Sequence, residues 1–306
     1  MCSSDLGRNQ RISFRFVGTD HRDTAGVDST GAFGEVSYRK EGRHLSYSLF
    51  HYEVSPHFKT DTGFVRRVDQ RSTNSNVNYR WWPQGTVINW GPGVRYSRIY
   101  AFDGTLTDEN ISTGVNAQFS HNIQINANLD NDLERYNGVD FDKRRVSFGG
   151  GVNTSRKISF GGFGSYGDQV RYVTNPFLGK GTNFNIFATF RPLSRLQSEF
   201  SLSTSRLTDP RNSSEVFDIK IYRTLTTYQF TPRLLLRNII DFNDYDRTFG
   251  TNILVTYRVN AGTALYVGYD DRYKQGDKIN AVLLPSSDLT RTNRAIFAKL
   301  QVLLRY

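Results

Sequence analysis

The stretch Asn293–Tyr306 reads NRAIFAKLQVLLRY and alternates in character from one residue to the next. Successive side chains of a β-strand point to opposite faces, so residues two apart share a face. From Ile296 onward one face of this stretch is apolar, whereas Lys299, Gln301 and Arg305 interrupt the other. The apolar face comprises Ile296, Ala298, Leu300, Val302, Leu304 and Tyr306. The stretch therefore predicts a long strand with one continuous apolar surface.

The same alternation recurs along the whole chain, for example in Ile111–Phe119 and Phe184–Phe190. No run of ten or more residues has apolar positions at helical spacing. The pattern predicts an all-β fold of about 16 strands of ~9–14 residues, longer than the strands of most soluble sheets. The predicted strand centres are Phe14, Val36, Tyr47, Val77, Val94, Val115, Ile125, Phe148, Phe160, Ile186, Phe200, Ile221, Leu236, Val255, Val267 and Leu300.

The predicted connections alternate between short and long. The short ones lie at 40–43, 82–85, 120–122, 154–157, 191–195, 231–233 and 259–262, and the long polar ones at 55–72, 101–110, 131–143, 168–181, 208–214, 243–247 and 271–291. Short periplasmic turns and long extracellular loops are typical of outer-membrane barrels, and ~9–11 tilted residues cross a bilayer. The sequence therefore predicts an antiparallel transmembrane β-barrel in the bacterial outer membrane.

Composition excludes several other classes. Only 37% of the 306 residues are hydrophobic, and no apolar run approaches the ~20 residues of a membrane-spanning helix. The 14% of aromatic residues argues against a disordered chain, and the single Cys2 excludes a disulfide framework and a Cys-based zinc site. The net charge of +10 is dispersed among acidic residues, so we predict no nucleic-acid partner.

Charged residues on the polar faces are candidates for the lumen of the barrel, because the apolar faces of such a barrel meet lipid. An excess of Arg and Lys there favours anionic solutes. Pairing with nearby carboxylates would instead only stiffen the barrel, and both interpretations stay open. The candidate lumenal charges are Lys220, Arg237, Asp241, Arg258 and Lys299.

The segment Ser55–Asp69 is the most distinctive of the predicted loops, because it carries apolar residues among polar ones. Such residues indicate that a loop packs on something. The loop either folds into the lumen as a constriction or covers the rim of the barrel, and the sequence does not separate the two. The candidate residues are Phe58, Asp61, Gly63, Phe64, Arg66, Arg67 and Asp69.

Motifs for catalysis or cofactor binding are weak. The segment Gly162–Gly167 matches the G-x-G-x-x-G pattern of dinucleotide sites, but the residues after it do not predict a helix. We therefore interpret it as a glycine-rich hairpin. His44 and His51 fall on opposite faces of one strand and cannot share a metal ion. We predict no catalytic residue, no metal site and no cofactor.

Four segments carry a resemblance to a known family: Phe58–Asp69, Tyr228–Arg233, Gly262–Tyr269 and Arg291–Leu300. From about Arg11 to Tyr306, the chain resembles the C-terminal barrel of the domain-of-unknown-function family 5916. The resemblance implies a longer protein with a signal peptide and a family-nine-type carbohydrate-binding module before the barrel. The family has no established activity, so the resemblance implies no catalytic residues.

The domain prediction follows from the start of the chain. Residues 1–9 lack a secretory signal and are predicted to be non-native or disordered, whereas strand-like sequence begins near Arg11. We interpret residues 10–306 as one barrel domain, the C-terminal part of a longer protein.

The functional hypothesis is a porin-like channel, or an anchor for a carbohydrate-binding module, without catalysis of its own. The alternatives are an outer-membrane enzyme with a carboxylate site that acts on carbohydrate, and a soluble all-β binding protein. The expected partners are outer-membrane lipid, an oligosaccharide, and the barrel-assembly machinery, which would read Leu304 and Tyr306 as a C-terminal signal.

Overall fold

A computed structural model of the chain describes residues 2–5, 9–22, 26, 28–60, 63–279 and 282–303. In these residues the regular structure is β-strand, apart from a single 3-10 turn at Ser120–Asn122. No helix in the described ranges is long and apolar enough to cross a membrane. The strands are β1 (Cys2–Asp5), β2 (Gln10–Arg22), β3 (Asp28–Glu41), β4 (Leu45–Val54), β5 (Gln70–Tyr79), β6 (Val87–Tyr100), β7 (Leu106–Phe119), β8 (Ile123–Tyr136), β9 (Val139–Val152), β10 (Ile158–Arg171), β11 (Phe177–Leu193), β12 (Leu196–Asp209), β13 (Ser214–Gln229), β14 (Leu234–Asn243), β15 (Thr248–Arg258), β16 (Thr263–Ile279) and β17 (Val282–Val302).

The strand prediction is confirmed, because each of the strands β2–β17 contains one of the predicted centres. These strands follow one another in the sheet in chain order. Within the predicted non-native or disordered segment 1–9, β1 pairs antiparallel with Arg11–Phe14 of β2. Whether that segment is native to the chain stays a prediction. The predicted assembly signal, Leu304 and Tyr306, lies outside the described residues, as does Asp61.

The predicted boundaries of two long loops are wrong. Most of 131–143 belongs to β8 and β9, and most of 271–291 belongs to β16 and β17. The polar side chains of these segments find partners across the strands. The Lys143 ammonium pairs with Glu134, and the guanidinium groups of Arg291 and Arg294 lie 3.2 and 3.1 Å from the carboxylate of Asp271. Because charge is compensated between strands, polar sequence here does not require a loop.

A two-residue turn joins β8 to β9. Asn137 and Gly138 have φ angles of 50° and 77°, the left-handed pair that tight hairpin turns require. An Asn-Gly dipeptide is the preferred sequence for such a turn, so the chain carried this signal inside the segment predicted as a long loop.

The strands fall into two compact units, and residues paired in register share a face in each unit. The first unit comprises Met1–Ser120, Gln124–Phe148 and Tyr166–Lys180. Across β4 to β7 one row of side chains is apolar apart from a threonine and the next row is polar. The apolar row is Tyr47, Val77, Val94 and Thr113, and the polar row is Ser48, Asn76, Arg95 and Ser112.

The second unit comprises His121–Ile123, Gly149–Ser165 and Gly181–Tyr306, and its two faces also differ in character. From β14 to β17 one row is apolar throughout. The row on the opposite face contains charge and glycine. The apolar row is Leu236, Val255, Val267 and Ala298, and the opposite row is Arg237, Leu254, Gly268 and Phe297.

Buried apolar side chains are few. The buried hydrophobic residues of the described part are Val54, Phe58, Phe141, Val170 and Leu207, whereas large apolar side chains on almost every strand are exposed. Soluble monomers rarely expose contiguous apolar patches of this kind. The soluble alternative requires the apolar face to pack on a second sheet. The exposed apolar face is instead the surface that a lipid bilayer would cover.

We predict that Gly138→Val lowers the free energy of unfolding by about 1–2 kcal/mol, because a branched side chain is unfavourable at a left-handed φ. Unfolding by urea from lipid vesicles, followed by tryptophan fluorescence, measures the change. Gly18→Val on β2 is the control, since an added Cβ at Gly18 meets no atom within 4 Å. Equal loss of stability in both variants would contradict the tight turn.

Candidate functional site

The segment Ser55–Asp69 begins by packing against the first part of β3. Phe58 is buried, and its ring centroid lies 6.1 Å from that of Phe33. The backbone N–H of Ala32 donates to the Ser55 hydroxyl at 2.8 Å. A Cβ atom added to Gly31 would lie 2.3 Å from the Cα atom of Phe58. The glycine therefore leaves the space into which the loop backbone fits.

This contact lies on the polar face of the first unit. Phe33 shares its strand face with Glu35 and Arg39, which lie two and six residues further along β3. Arg39 is paired in register with Ser48 of the polar row. The start of the loop is therefore packed on the face opposite to the exposed apolar surface.

The other end of the loop is bound to the hairpin between β6 and β7. The guanidinium of Arg67 donates to the Asp108 carboxylate at 2.8 Å and to the Thr107 hydroxyl at 2.9 Å. Asp69, at a φ of 55°, accepts a hydrogen bond of 2.9 Å from the backbone N–H of Phe102. The loop thus joins the first part of β3 to a hairpin that begins three strands further along the sheet.

That hairpin is itself held by short-range hydrogen bonds. The N–H of Ala101 donates to the Thr105 carbonyl at 2.9 Å, and the N–H of Thr105 donates to Asp103 at 2.8 Å. The hydrogen bonds from Thr105 lower the pKa of Asp103 below its usual range. Asp103 is therefore ionised at neutral pH, in the same hairpin that carries the Arg67 partners Thr107 and Asp108.

The middle of the loop has fewer contacts. Phe64 is 90% exposed, and the Thr60 hydroxyl donates to the Gly63 carbonyl at 3.1 Å. Arg66 makes no side-chain hydrogen bond or ion pair within the part that the structure describes. Of the predicted loop residues, Phe58, Arg67 and Asp69 therefore anchor the segment, whereas Phe64 and Arg66 are free to meet solvent or a ligand.

Four of the five predicted lumenal charges share one face of the second unit. The register from β14 to β17 places Arg237, Asp241, Arg258 and Lys299 on the same side of the sheet. Asp241 lies across its partner Gly250, where an added Cβ would be 2.8 Å from the carboxylate. These residues therefore form a common charged surface, as expected for a polar face.

The prediction for Lys220 is wrong. Lys220 pairs in register with Thr204 of β12 and shares its face with Phe200 and Leu202, opposite to Arg237. Its ammonium lies 2.9 Å from the Asp218 carboxylate, which neutralises its charge. The pattern of β13 misled because charge occurs on both of its faces, Asp218 and Lys220 on one and Arg223 on the other, and only the pairing register assigns each face to a side of the sheet.

Sequence reasoning missed a ladder of paired charges on β8 and β9. Asp132 accepts from the Arg145 guanidinium at 3.2 Å, and Asp130 accepts from the Ser147 hydroxyl at 3.1 Å. With the Glu134–Lys143 pair, the ladder repeats every second residue on both sides of the Asn-Gly turn. The turn and the complementary charges together were the signal that could have revealed it.

The glycine-rich segment is a strand. Residues 162–167 lie within β10, and the next element is the strand β11, so the dinucleotide interpretation does not apply. A Cβ atom at Gly161 would be 2.8 Å from the ring of Phe187, which supports close approach as the reason for glycine. Among the described residues, no group of three or more His, Cys, Asp or Glu could hold a metal ion.

Comparison with known proteins identifies the fold. No protein-family model matches the chain, and no curated protein matches it significantly. Among solved structures it is similar to the copper transporter OprC, with a TM-score of 0.60 at 11% identity over 96% of this chain and 61% of OprC. It is also similar to the siderophore receptor PirA from Acinetobacter baumannii (TM-score 0.55, 6% identity, 97% of this chain and 62% of PirA). A third similar structure is the FrpB iron transporter from Neisseria meningitidis (TM-score 0.52, 13% identity, 97% of this chain and 61% of FrpB).

These similarities establish the fold and leave the activity open. The chain has the antiparallel transmembrane β-barrel fold of bacterial outer-membrane proteins. It spans about three fifths of the length of each of these structures.

We predict that Gly31→Val releases the Ser55–Asp69 segment, because the new side chain would occupy the position of the Phe58 backbone. Limited trypsin digestion of the folded protein should then cleave faster after Lys59, Arg66 or Arg67. Gly34→Val on the same strand is the matched control, since a Cβ there meets no atom within 4 Å. Unchanged digestion of Gly31→Val would show that the loop does not depend on this contact.

Proposed function

We propose that the chain forms a porin-like channel for passive passage of small polar solutes across the bacterial outer membrane, without catalysis of its own. The observation that carries this proposal is the segregation of its two faces. Apolar side chains are exposed along one face, and amides, hydroxyls and charges occupy the other. Barrels of about 16–18 strands can enclose an aqueous channel lined by such polar residues.

The cations of the second unit support a preference for anionic solutes. Arg237, Arg258 and Lys299 share a face, and within the described residues none of them forms an ion pair with a carboxylate. The Nε atom of Arg237 is buried without a hydrogen-bond partner. Uncompensated cations on a channel lining attract anions and repel other cations.

The Ser55–Asp69 segment supports a constriction rather than a cover. Its buried Phe58 packs on the polar face, and Arg67 and Asp69 fasten its far end to the β6–β7 hairpin. A segment fixed at both ends over a polar face would narrow the path to that face. Its exposed residues, Phe64 and Arg66, would then be the first side chains that a solute meets.

A second role is anchoring. The resemblance to family 5916 supports a barrel that holds a carbohydrate-binding module at the cell surface. This role needs the apolar face to meet lipid but needs no open path through the barrel, so conductance separates the two roles.

We expect the purified protein to conduct in planar bilayers and to show anion selectivity in the reversal potential across a potassium chloride gradient. The triple variant Arg237→Gln, Arg258→Gln, Lys299→Gln should move the selectivity toward that of a neutral pore. Lys220→Gln removes one positive charge from the opposite face and should leave the selectivity unchanged, whereas Arg237→Gln alone should already lower it. A pore that stays closed at all voltages would contradict the channel function and favour the anchoring role. Equal effects of the two single variants on selectivity would contradict the assignment of these residues to the channel lining.

A further inference from the structure

A groove on the polar face of the first unit crosses β5 to β8. One row of register partners runs from Asn78 on β5 to Gly93 on β6 and Gly114 on β7. A Cβ at Gly93 would be 2.4 Å from the Oδ1 atom of Asn78, and one at Gly114 would be 2.1 Å from the Oδ1 atom of Asn128. Two adjacent glycines therefore form a floor over which two amide side chains lean from opposite sides.

The cavity above this floor has a volume of about 270 Å³ and is lined mainly by amides. It contains one cation, Arg95, and no carboxylate. Its amide lining comprises Asn76, Asn78, Asn116, Asn126 and Asn128.

The cavity continues into a second one of about 460 Å³, which shares Asn76 and Asn78 with it. The second cavity adds the hydroxyl groups of Ser46 and Ser48 and the charged side chains of Arg39, Lys40, Glu41 and Arg80. In register, Ser46 is the partner of Asn78, and Ser48 is the partner of Asn76. The two cavities therefore form one polar path centred on this pair of asparagines.

Most of these amides have unused hydrogen-bonding capacity. Asn116 donates to the Gly91 carbonyl at 3.3 Å. The side chains of Asn76, Asn78, Asn126 and Asn128 make no hydrogen bond to other described residues. Asn74, one position along the same face of β5, is different, because it donates to Ser72 at 3.0 Å and accepts from Ser97 at 2.8 Å. The amides of the groove are therefore available to a ligand, whereas Asn74 serves the sheet.

The chemistry of the lining selects a class of ligand. Each amide offers two donors and one acceptor oxygen, and a hydroxyl group can pair with either. Cations also line both cavities, Arg95 in the first and Arg39, Lys40 and Arg80 in the second, and their N–H groups can donate hydrogen bonds to hydroxyl oxygens. We propose that this groove is a binding site for a hydroxyl-rich solute, a linear oligosaccharide whose successive rings occupy the two cavities. The inference rests on the proposed function, because it names the solute class of the same polar face.

The test combines a binding measurement with a conductance measurement. We expect maltohexaose to bind the purified, folded chain in isothermal titration calorimetry and to interrupt the current in planar bilayers. The variant Asn76→Ala, Asn78→Ala should weaken binding at least tenfold. Its control is Ser75→Ala, Val77→Ala, which changes the opposite face of the same strand. Polyethylene glycol of similar size lacks hydroxyl groups along its chain, so it should neither bind nor interrupt the current.

The outcomes separate this inference from the proposed function. Conductance without maltohexaose binding, or equal binding by both double variants, would contradict the proposed oligosaccharide site but not the proposed channel function. Equal block by polyethylene glycol would show that size alone acts, which also overturns the groove. If the protein does not conduct but binds maltohexaose, and the variant Asn76→Ala, Asn78→Ala loses that binding, the oligosaccharide site is supported and the channel function is contradicted.

Discussion

The pairing register of the antiparallel strands is the constraint on which the rest of this structure depends. A sheet that faces lipid must satisfy its backbone hydrogen bonds between strands, and once two strands are paired, every side chain is assigned to a face. Lys220 shows how strict the assignment is. A shift of one residue would move it to the face that carries Arg237, whereas the observed register puts it on the apolar face that carries Leu202.

On the polar face, glycine residues leave the space that this fixed register requires. A side chain that leans across a neighbouring strand needs a register partner without a Cβ atom. Asp241 lies over Gly250, and Phe297 lies over Gly268. The same relation admits the loop backbone at Gly31 and forms the floor of the amide groove. Glycine thus makes room for side chains and loop segments on an otherwise continuous sheet.

The fold could be predicted from the sequence because alternation is a local property. Each strand centre follows from a few neighbouring residues, and all of the strands from β2 to β17 were found in this way. Loop boundaries were less accurate, because the polar residues near Glu134 and Asp271 are compensated by partners on another strand. The composition of one segment does not reveal such compensation.

The candidate site could be predicted only in part. The segment Ser55–Asp69 was visible because apolar residues are unusual in a polar loop, but the role of Gly31 depends on a contact across 27 positions of the chain, between Gly31 and Phe58. The amide groove was not predicted at all. Asn78 and Asn128 come from different strands, and nothing in either segment shows that two glycines lie between them.

Solvent accessibility along β5 tests the central claim most directly, namely that the polar face lines water while the apolar face meets lipid. Single cysteines would be placed at Asn74, Ser75, Asn76, Val77 and Asn78 in a Cys2→Ser background. Each protein would be reconstituted in lipid vesicles and treated with a hydrophilic thiol reagent. The account predicts labelling at Asn74, Asn76 and Asn78 and protection at Ser75 and Val77. Labelling without this alternation, or labelling of the odd positions alone, would contradict it.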